Sequence, residues 1–566
     1  MVKWNYHKSK ERYIIMAFTL NVSQQLTLND SFLNLDERTK KFVTKSWAKG
    51  FAEVVFTAIN ENRFSVLYSD NAASRPNNPV NAVIGSLILK EMFNLTDDEL
   101  LASILCDVRF QYALNTTSYE SQPFSDRTFS RFRERLYLYY QETGRDLLHE
   151  EMEAMADVFI KYLDINPSIK RMDSLMVSSS CKKMSRLEII YTCVANMVKA
   201  VYRTGEYQNL NNMEHYLDED DKNDTIYHRK NEELSGRLQT VIDDAALLIK
   251  DLGEAYFELP EYQLLSRVIK EQTETTAEGK LIPTDKKNIS PGSLQNPSDP
   301  DATYRSKAGK DNKGYVGNLV ETTDDKGSII TSYDYNVNSH SDSNFCKETI
   351  EKLGKQDDTI TLIADGAYGS TTNVELAAEN NIDLVTTALI GKTPEIIQSE
   401  FEINETTYKV VKCPSGETPY KTSYYEKTGL YRASFNKKTC EHCPLREQCG
   451  AKLQKKSAFV LISAKTIQRA SYLKKLSTKE YIALQKKRNG VEGLPSVLRR
   501  RYQVDTMPVR GLVRSKIWFS FKIGAINVKR VLKIAAEKAT IQLTMVKNCF
   551  YIFKQSKTKK RLLLVA

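Results

Sequence analysis

The alternation of apolar and polar residues predicts a buried strand in the middle of the chain. Residues 360–364 form an aliphatic run that is too short for a helix, and Gly366 and Gly369 end it. Asp365 then lies at the carboxyl end of the strand, where open α/β sheets bind their ligands. A carboxylate there stays ionised most easily if a cation shares its site. The alternative is that Asp365 only caps a helix that starts near Thr371.

Further segments extend this strand into a sheet. A second lone aspartate, Asp173, lies in the strand-like segment 169–179, and we predict that it lies at a strand end. The whole pattern predicts a mixed sheet flanked by helices. The remaining predicted elements are three strands (314–322, 328–337 and 382–387), a hairpin turn (324–327) and helices at about 344–353 and 373–380.

The first part of the chain, residues 36–150, has the apolar spacing of amphipathic helices. A capping box at 96–99 starts one of them. A later helix begins near Ser125 and carries Arg127 and Arg131, which is typical of a helix-turn-helix-like DNA reader. The connection before this helix is too long for a strict helix-turn-helix, and an arginine-rich surface helix is the alternative interpretation.

Two insertions are predicted within the sheet region. The segment of about 186–296 is mostly helical, and its polar end, continuing to residue 304, is predicted to be an irregular linker. The second insertion, 397–476, contains four cysteines that match a tetrahedral zinc ribbon only in part. Ordinary reduced thiols are the alternative. The cysteines are Cys413, Cys440, Cys443 and Cys449.

A capping box at 477–480 opens a late helix that carries Arg488 and Glu492 on one face. Pro495 is expected to bend or end this helix, because proline removes a backbone donor and clashes with the preceding turn. Arg499 follows the bend.

These polar residues suggest a metal-dependent site for phosphodiesters. Asp173, Asp365 and Glu492 together would hold two divalent cations, and carboxylate oxygens favour Mg²⁺ or Mn²⁺. Arg488 and Arg499 would bind phosphates through their guanidinium groups. Because the chain has 71 acidic residues, spacing alone does not single out this triad.

The length of the chain predicts its number of domains, and the distribution of its charge indicates a binding partner. A chain of 566 residues is expected to form two or three domains. Residues 510–561 contain 14 Lys and Arg and one acidic residue, so this end carries +13, and the net charge of +10 leaves −3 for the rest. Such polarity favours nucleic acid as partner, with a solvated basic tail as the alternative. With neither a membrane-spanning run nor a signal peptide, we expect a cytoplasmic protein, and Met16 is a candidate start of translation.

Several motifs, in this order, resemble bacterial insertion-sequence transposases of the DDE class. The segments 172–174, 365–369 and 488–493 resemble the regions of their two aspartates and their glutamate. The segments 75–80 and 124–133 resemble the helical domain fused to many of them. Segments 298–303, 499–502 and 510–516 and the cysteine insertion also match.

The resemblance implies a ribonuclease-H-like catalytic core that uses two metal ions, with Asp173, Asp365 and Glu492 as its metal-binding triad. It also implies DNA contacts by Arg510 and Lys516 in the matching C-terminal segment. Relatives often show a tyrosine and a lysine on either side of the glutamate. Here Gln485 and Arg499 stand at those positions, so the phenol is lost and the positive charge is kept.

The predicted function is a transposase that binds the terminal inverted repeats of its own element, cleaves DNA strands and transfers them to a target. Its partners would be double-stranded DNA and a second copy of itself, in the bacterial cytoplasm at the nucleoid. The alternatives are a nuclease of the same fold and a non-catalytic DNA-binding descendant. The predicted organisation is an arm (1–35), a helical DNA-binding domain (36–150), a core in two parts (165–396 and 477–535), the cysteine insertion (397–476) and a basic tail (536–566).

Overall fold

The computed structural model describes residues 16–562 apart from 22–29, 72, 120, 206–209, 211–212, 228–232, 253 and 308. For Glu492 and residues 539–562 it describes the backbone but not the side chain. Most of the predicted arm and most side chains of the predicted basic tail therefore lie outside the described residues. The start at Met16 remains a prediction.

Helices build the N-terminal part, as the apolar spacing predicts. The capping box at Thr96 is present, with the Glu99 side chain bonded back to the Thr96 amide. The helix expected near Ser125 starts there and buries Phe129 and Phe132. The helices are α1 (Glu37–Lys45), α2 (Trp47–Gly50), α3 (Phe56–Ala58), α4 (Val80–Phe93), α5 (Asp97–Cys106), α6 (Val108–Ala113), α7 (Asp126–Thr143) and α8 (Leu147–Leu163). Two-residue strands, β1 (Met16–Ala17) and β2 (Arg75–Pro76), pair in parallel.

A six-stranded mixed sheet forms the centre of the molecule. Its strands are β3 (Ile169–Ser178), β6 (Thr303–Lys307), β7 (Lys310–Thr323), β8 (Ser328–Val337), β9 (Ile360–Ala364) and β10 (Ile382–Thr386). The order is β10-β9-β3-β7-β6, and β8 also pairs with β7. Strands β10, β9 and β3 are mutually parallel, whereas β7 is antiparallel to β3, β6 and β8. The predicted hairpin and the predicted order of strands and helices along the chain are confirmed.

Helices cover the sheet. Helices α13 (Asp342–Leu353) and α14 (Thr371–Glu379) follow β8 and β9. Late in the chain come α17 (Ala464–Leu476), α18 (Lys479–Tyr502) and the long α19 (Leu512–Leu562).

The last helix joins the N-terminal helices and the sheet into one hydrophobic core. Phe129 of α7, Tyr333 of β8 and Phe519 of α19 belong to the same buried cluster. Asn527 of α19 donates to Ile330 O at 2.7 Å and accepts from Ile330 N at 2.9 Å, so one amide satisfies both backbone groups of a buried position of β8. The predicted domain boundary at residue 150 falls inside α8, which packs on β8 and α19.

The helical insertion has its own core, formed by α9 (Arg186–Thr204), α11 (Leu234–Asp251) and α12 (Pro260–Gln272), with α10 (Glu219–Ile226) beside them. The segment predicted as an irregular linker contains a short hairpin, β4 (Thr273–Thr275) and β5 (Leu281–Pro283). That prediction is wrong for these residues, because a polar pair of short strands lacks the apolar alternation that marks a strand.

The cysteine insertion is a separate small β unit. Strands β11 (Glu402–Asn404) and β12 (Lys409–Lys412) pair with each other, and β13 (Lys421–Tyr425), β14 (Leu430–Asn436), β16 (Ser457–Ser463) and β15 (Lys452–Leu453) form a four-stranded sheet in that order. Two short helices, α15 (Lys437–Glu441) and α16 (Arg446–Cys449), lie between β14 and β15. No helix among the described residues is long and apolar enough to cross a membrane.

Candidate active site

Asp365 lies where the sequence predicts it, directly after the buried strand β9. Its carboxylate accepts hydrogen bonds from the Gly366 amide at 2.6 Å and from Thr387 Oγ1 at 3.1 Å. It caps a single 3₁₀ turn, Gly366–Tyr368. Helix α14 is instead capped by Ser370, so the alternative role for Asp365 as the cap of that helix is wrong.

The residues after Asp365 hold the turn rigidly. The Tyr368 side chain is fully buried, and its hydroxyl donates to Asn318 Oδ1 on β7 at 3.1 Å. A Cβ atom on Gly369 would lie 2.7 Å from the Ala388 carbonyl oxygen, so only glycine allows the loop after β10 to approach this closely. The Asp-Gly-Ala-Tyr-Gly motif is therefore explained by the packing that fixes the direction of Asp365.

Asp173 lies beside Asp365, but in the middle of β3 and not at its end as predicted. The last parallel pair between the two strands is Arg171 with Ile363. Two residues further along each strand come Asp173 and Asp365. Strand β3 continues past this point because β7 pairs with it as far as Ser178. The strand predicted over 169–179 is therefore confirmed in length, and only the placement of Asp173 at its end is wrong.

Burial raises the pKa of the Asp173 carboxyl to about 6, and the negative charge of Asp365 acts in the same direction. The Ser174 amide, Lys307 and Arg488 oppose this effect. Two neighbouring carboxylates, one of them poorly solvated, are a donor set that a hard divalent cation stabilises.

Helix α18 crosses this pair of aspartates and is attached to β3 at two points. Arg171 Nη1 donates to Lys487 O at 3.0 Å, and Arg499 Nη2 donates to Met176 O at 2.9 Å. On the strand, Asp173 lies two residues into the five-residue interval from Arg171 to Met176. On the helix, Glu492 lies five residues into the twelve-residue interval from Lys487 to Arg499. Both residues therefore lie about two fifths of the way from the first attachment to the second. The Glu492 side chain lies outside the described residues, so its part in the site remains a prediction.

Pro495 does not end this helix, which continues to Tyr502. Leu494 and Leu498 on either side of the proline are buried in the main core, which favours a continuous helix, and the alternative of a bend at Pro495 stays a prediction. Arg499 therefore stays in helical register, and its guanidinium reaches β3.

Cations surround the aspartates. Arg488 and Lys307 both act on the Asp173 carboxyl. A cleft of about 480 Å³ opens beside Ser174, and Lys307, Arg499 and Arg500 contribute its basic lining. Sequence reasoning missed Lys307, since nothing near the start of β7 marks it as a neighbour of Asp173. Strand register does not explain the approach either, because Lys307 pairs with Lys310 of β7 whereas Asp173 pairs with Leu319. The side chain reaches Asp173 only through the tertiary packing around the cleft.

The arginines predicted to bind DNA in the N-terminal part lie together but apart from the aspartates. Arg127 and Arg131 are exposed on α7 and line a cleft of about 780 Å³ together with Arg75 and Arg135. This arrangement presents several guanidinium groups on one surface.

The two predicted contacts near the C-terminus differ from each other. Arg510 is exposed just before α19. Lys516 lies 3.8 Å from the Asp146 carboxylate and near the Tyr140 ring, so the structure gives it partners within the chain. A role in DNA binding for either residue remains a prediction.

The four cysteines of the insertion lie near one another. Burial raises the pKa of the Cys440 thiol to about 11, and negative charge on Cys449, Cys413 and Cys443 would act in the same direction. Among the side chains that the structure describes, no three His, Cys, Asp or Glu residues are grouped closely enough to hold a metal ion. The predicted triad of Asp173, Asp365 and Glu492 is not tested in this way, because the Glu492 side chain lies outside the described residues.

Paired carboxylates flanked by cations are suited to phosphodiester chemistry, and comparison with known proteins agrees. The family model described as "Transposase DDE domain" matches residues 412–532, which include Glu492 and Arg499 but neither aspartate. The model described as "Transposase domain (DUF772)" matches residues 39–135, which include Arg127 and Arg131. The chain is a DNA transposase of the DDE class found in insertion sequences. Its class generally uses divalent metal ions.

No curated protein matches the chain. Among solved structures, it is similar to the piggyBac transposase in a synaptic complex with hairpin DNA. That match has 9% sequence identity and a TM-score of 0.27 and covers 87% of this chain and 75% of the other. A likeness this low does not bear on the function of this chain.

Proposed function

We propose that this transposase binds the terminal inverted repeats of its own element and cuts and rejoins DNA at a site built from Asp173, Asp365 and Glu492. The observation that carries the proposal is the convergence of two distant aspartates on adjacent parallel strands beneath the helix that carries Glu492. The sheet order β10-β9-β3-β7-β8, with only β7 antiparallel to its neighbours, supports a ribonuclease-H-like core.

The residues of the chain divide the chemistry between them. Asp173, Asp365 and Glu492 would hold two Mg²⁺ or Mn²⁺ ions. When bound, such ions supply activation of the attacking oxygen and stabilisation of the leaving oxygen. Arg488 neutralises charge beside Asp173, and Lys307 and Arg499 bind the phosphates that flank the scissile bond. The buried turn at Tyr368 keeps Asp365 in one orientation while the DNA strand is exchanged.

The test is cleavage of labelled DNA that carries the element's own terminal repeats, in Mg²⁺ or Mn²⁺, with EDTA as control. We expect metal-dependent nicking at the repeat ends, followed by joining of the freed 3′ end to a target. Nicking without joining would show a nuclease, and tight binding without cleavage in either metal would show a DNA-binding protein only. Because two ends must be brought together, the active species is proposed to be a homodimer in the bacterial cytoplasm, at the nucleoid.

The cleft lined by Arg127 and Arg131 is proposed as the surface that holds the repeat DNA. We expect Arg131→Ala to weaken binding several-fold and to reduce the slope of log K against log salt by about 1, because one phosphate contact is lost. Filter binding or fluorescence anisotropy across a salt series measures both. Arg109→Ala is the matched control, since Arg109 is exposed but already paired with Asp107 at 2.6 Å. Equal effects of the two substitutions would remove this cleft from the binding surface.

We infer further that Cys413, Cys440, Cys443 and Cys449 hold a structural Zn²⁺ ion. Four thiols are the donor number of a structural zinc site, but among the described side chains they are not grouped closely enough to share an ion, so binding would have to draw them together. A bound zinc would also favour the thiolate that burial disfavours at Cys440. Elemental analysis of the purified full-length protein should find about one zinc per chain, lost in Cys440→Ser and retained in Cys106→Ser, whose cysteine is exposed on α5. A zinc-free wild-type protein would show ordinary reduced thiols.

A further inference from the structure

Arg171 connects the strand of Asp173 to the helix of Glu492. Arg171 and Asp173 are separated by one residue on β3, so their side chains project from the same face of the sheet. Arg171 Nη1 donates to Lys487 O at 3.0 Å, and its Nε donates to Glu321 Oε2 at 2.8 Å. Glu321 is fully buried and also forms an ion pair with Arg530 of α19 at 2.6 Å. Glu321 thus fixes the Arg171 guanidinium on the sheet side, while the same guanidinium binds the backbone of α18.

A glycine in the middle of α18 makes this contact possible. Gly490 stands at an exposed helical position, where glycine is a poor helix former and alanine is the best one. A Cβ atom there would lie 2.1 Å from Arg171 Nη1 and 2.7 Å from its Cζ. Any larger residue must displace the guanidinium from this position, and we expect that shift to break its bond to Lys487 O. The structure thus supplies a reason for a glycine that helix propensity disfavours.

The contact sets the position of α18 along the strand. From Lys487 to Glu492 the helix advances about 7.5 Å, at about 1.5 Å per residue. From Arg171 to Asp173 the strand advances about 6.6 Å, at about 3.3 Å per residue. Since both run away from the shared contact toward the second attachment at Arg499 and Met176, the backbone of Glu492 reaches the level of Asp173.

We propose that Arg171 is a positioning residue for the reaction. Packed against Gly490, it sets the rotation of α18 and its distance from the sheet, so that Glu492 completes the metal-binding site with the two aspartates. This inference rests on the proposed role of the triad. Without the contact the helix is free to shift, and misplacement of a catalytic group by about 1 Å lowers a rate by about 10²-fold.

The test compares Arg171→Ala, Gly490→Ala, the double variant and Arg530→Ala in the full-length protein. Arg530→Ala is the matched control, because it removes the other cation of Glu321 and leaves the Arg171 bond to Lys487 O in place. We expect Arg171→Ala and Gly490→Ala each to slow single-turnover cleavage of repeat-end DNA by about 10²-fold and to raise the Mn²⁺ concentration needed for half-maximal rate. DNA affinity should stay within about twofold, since no phosphate-binding residue is changed.

The double variant gives the sharpest readout. If Gly490→Ala acts by displacing Arg171, adding it to Arg171→Ala should cause no further loss. Arg171→Lys should not restore the rate, because one ammonium group cannot serve Glu321 and Lys487 O in the fork geometry of arginine. Thermal unfolding of every variant shows whether it is folded. If Arg530→Ala proves unstable, the comparison of Arg171→Ala, Gly490→Ala and the double variant still tests the positioning role.

Additive losses in the cycle, an equal loss in Arg530→Ala, or an unchanged Mn²⁺ dependence would each overturn the proposal. The role of the triad is tested separately. If Asp365→Asn and Glu492→Gln cleave like wild type, the proposed active site is wrong whatever Arg171 does. If they abolish cleavage while Arg171→Ala and Gly490→Ala do not slow it, only the positioning role fails.

Discussion

Asp365→Asn is expected to lower metal-dependent cleavage of repeat-end DNA by roughly 10³-fold or more while leaving DNA binding intact. The substitution keeps the size of the side chain and its bonds to the Gly366 amide and Thr387, so the 3₁₀ turn should persist. It removes the negative charge that a divalent cation requires, and loss of transition-state charge stabilisation of several kcal/mol corresponds to that factor. Single-turnover cleavage with Mg²⁺ and with Mn²⁺ measures the effect.

Asp358→Asn is the matched control for this experiment. Asp358 is exposed just before β9, at the opposite end of the same strand from Asp365. It should cleave at the wild-type rate. Cleavage that survives Asp365→Asn would mean that the reaction uses other carboxylates, and a loss of DNA binding in this variant would mean that Asp365 serves the fold.

Asp299→Ala is expected to destabilise the protein by about 3–5 kcal/mol, because it removes one partner from a buried polar network. Asp299 is fully buried and accepts from Ser179 Oγ at 2.5 Å, from the Tyr315 hydroxyl at 2.5 Å and from the Gly511 amide at 2.9 Å. It therefore fastens the end of β3 and strand β7 to the start of α19. Its loss leaves a buried hydroxyl and a backbone donor without their acceptor.

Asp301→Ala provides the comparison for this second substitution. Asp301 is exposed and accepts a hydrogen bond from the Leu512 amide at 2.8 Å, so its removal should cost about 1 kcal/mol, as for a helix cap. Thermal unfolding and hydrogen exchange of the first turns of α19 measure the difference. Asp299→Asn, which keeps one acceptor oxygen, should fall between the two. Similar losses of stability for Asp299→Ala and Asp301→Ala would contradict the proposal that Asp299 fastens β3 and β7 to the start of α19.

These two aspartates show how far the motifs alone could lead. The segment 298–303 resembles transposases in sequence, yet the residues themselves give no sign of what it does. In the structure it joins three elements that are far apart in the chain, which no local pattern can reveal. Asp365 was predictable because its strand, its turn glycines and its position at the strand end are all local features.

Asp173 marks the limit more finely. The sequence predicts its strand over 169–179 and its lone carboxylate, but the predicted position at a strand end is wrong, since Asp173 lies inside β3, which stays paired with β7 as far as Ser178. Of the two effects expected of Pro495, the end of the helix is wrong, because α18 continues to Tyr502 with buried leucines on either side of the proline. A bend there stays a prediction. At Pro495 long-range packing thus outweighs a local preference of about 3 kcal/mol against proline inside a helix.

The class of the protein came from the resemblance of its motifs to transposases. The sequence by itself also determined the helical start, the hairpin, the strand that ends at Asp365 and the late helix that carries Glu492, and these are local elements. These depend on apolar periodicity, capping residues and turn glycines, which act within a few residues. Only the tertiary structure decided that Asp173 lies beside Asp365, that Lys307 reaches the same place and that Arg171 grips α18 over Gly490. Those contacts join residues more than a hundred positions apart, and their geometry is set by sheet pairing and close packing, which a single sequence does not encode in any local pattern.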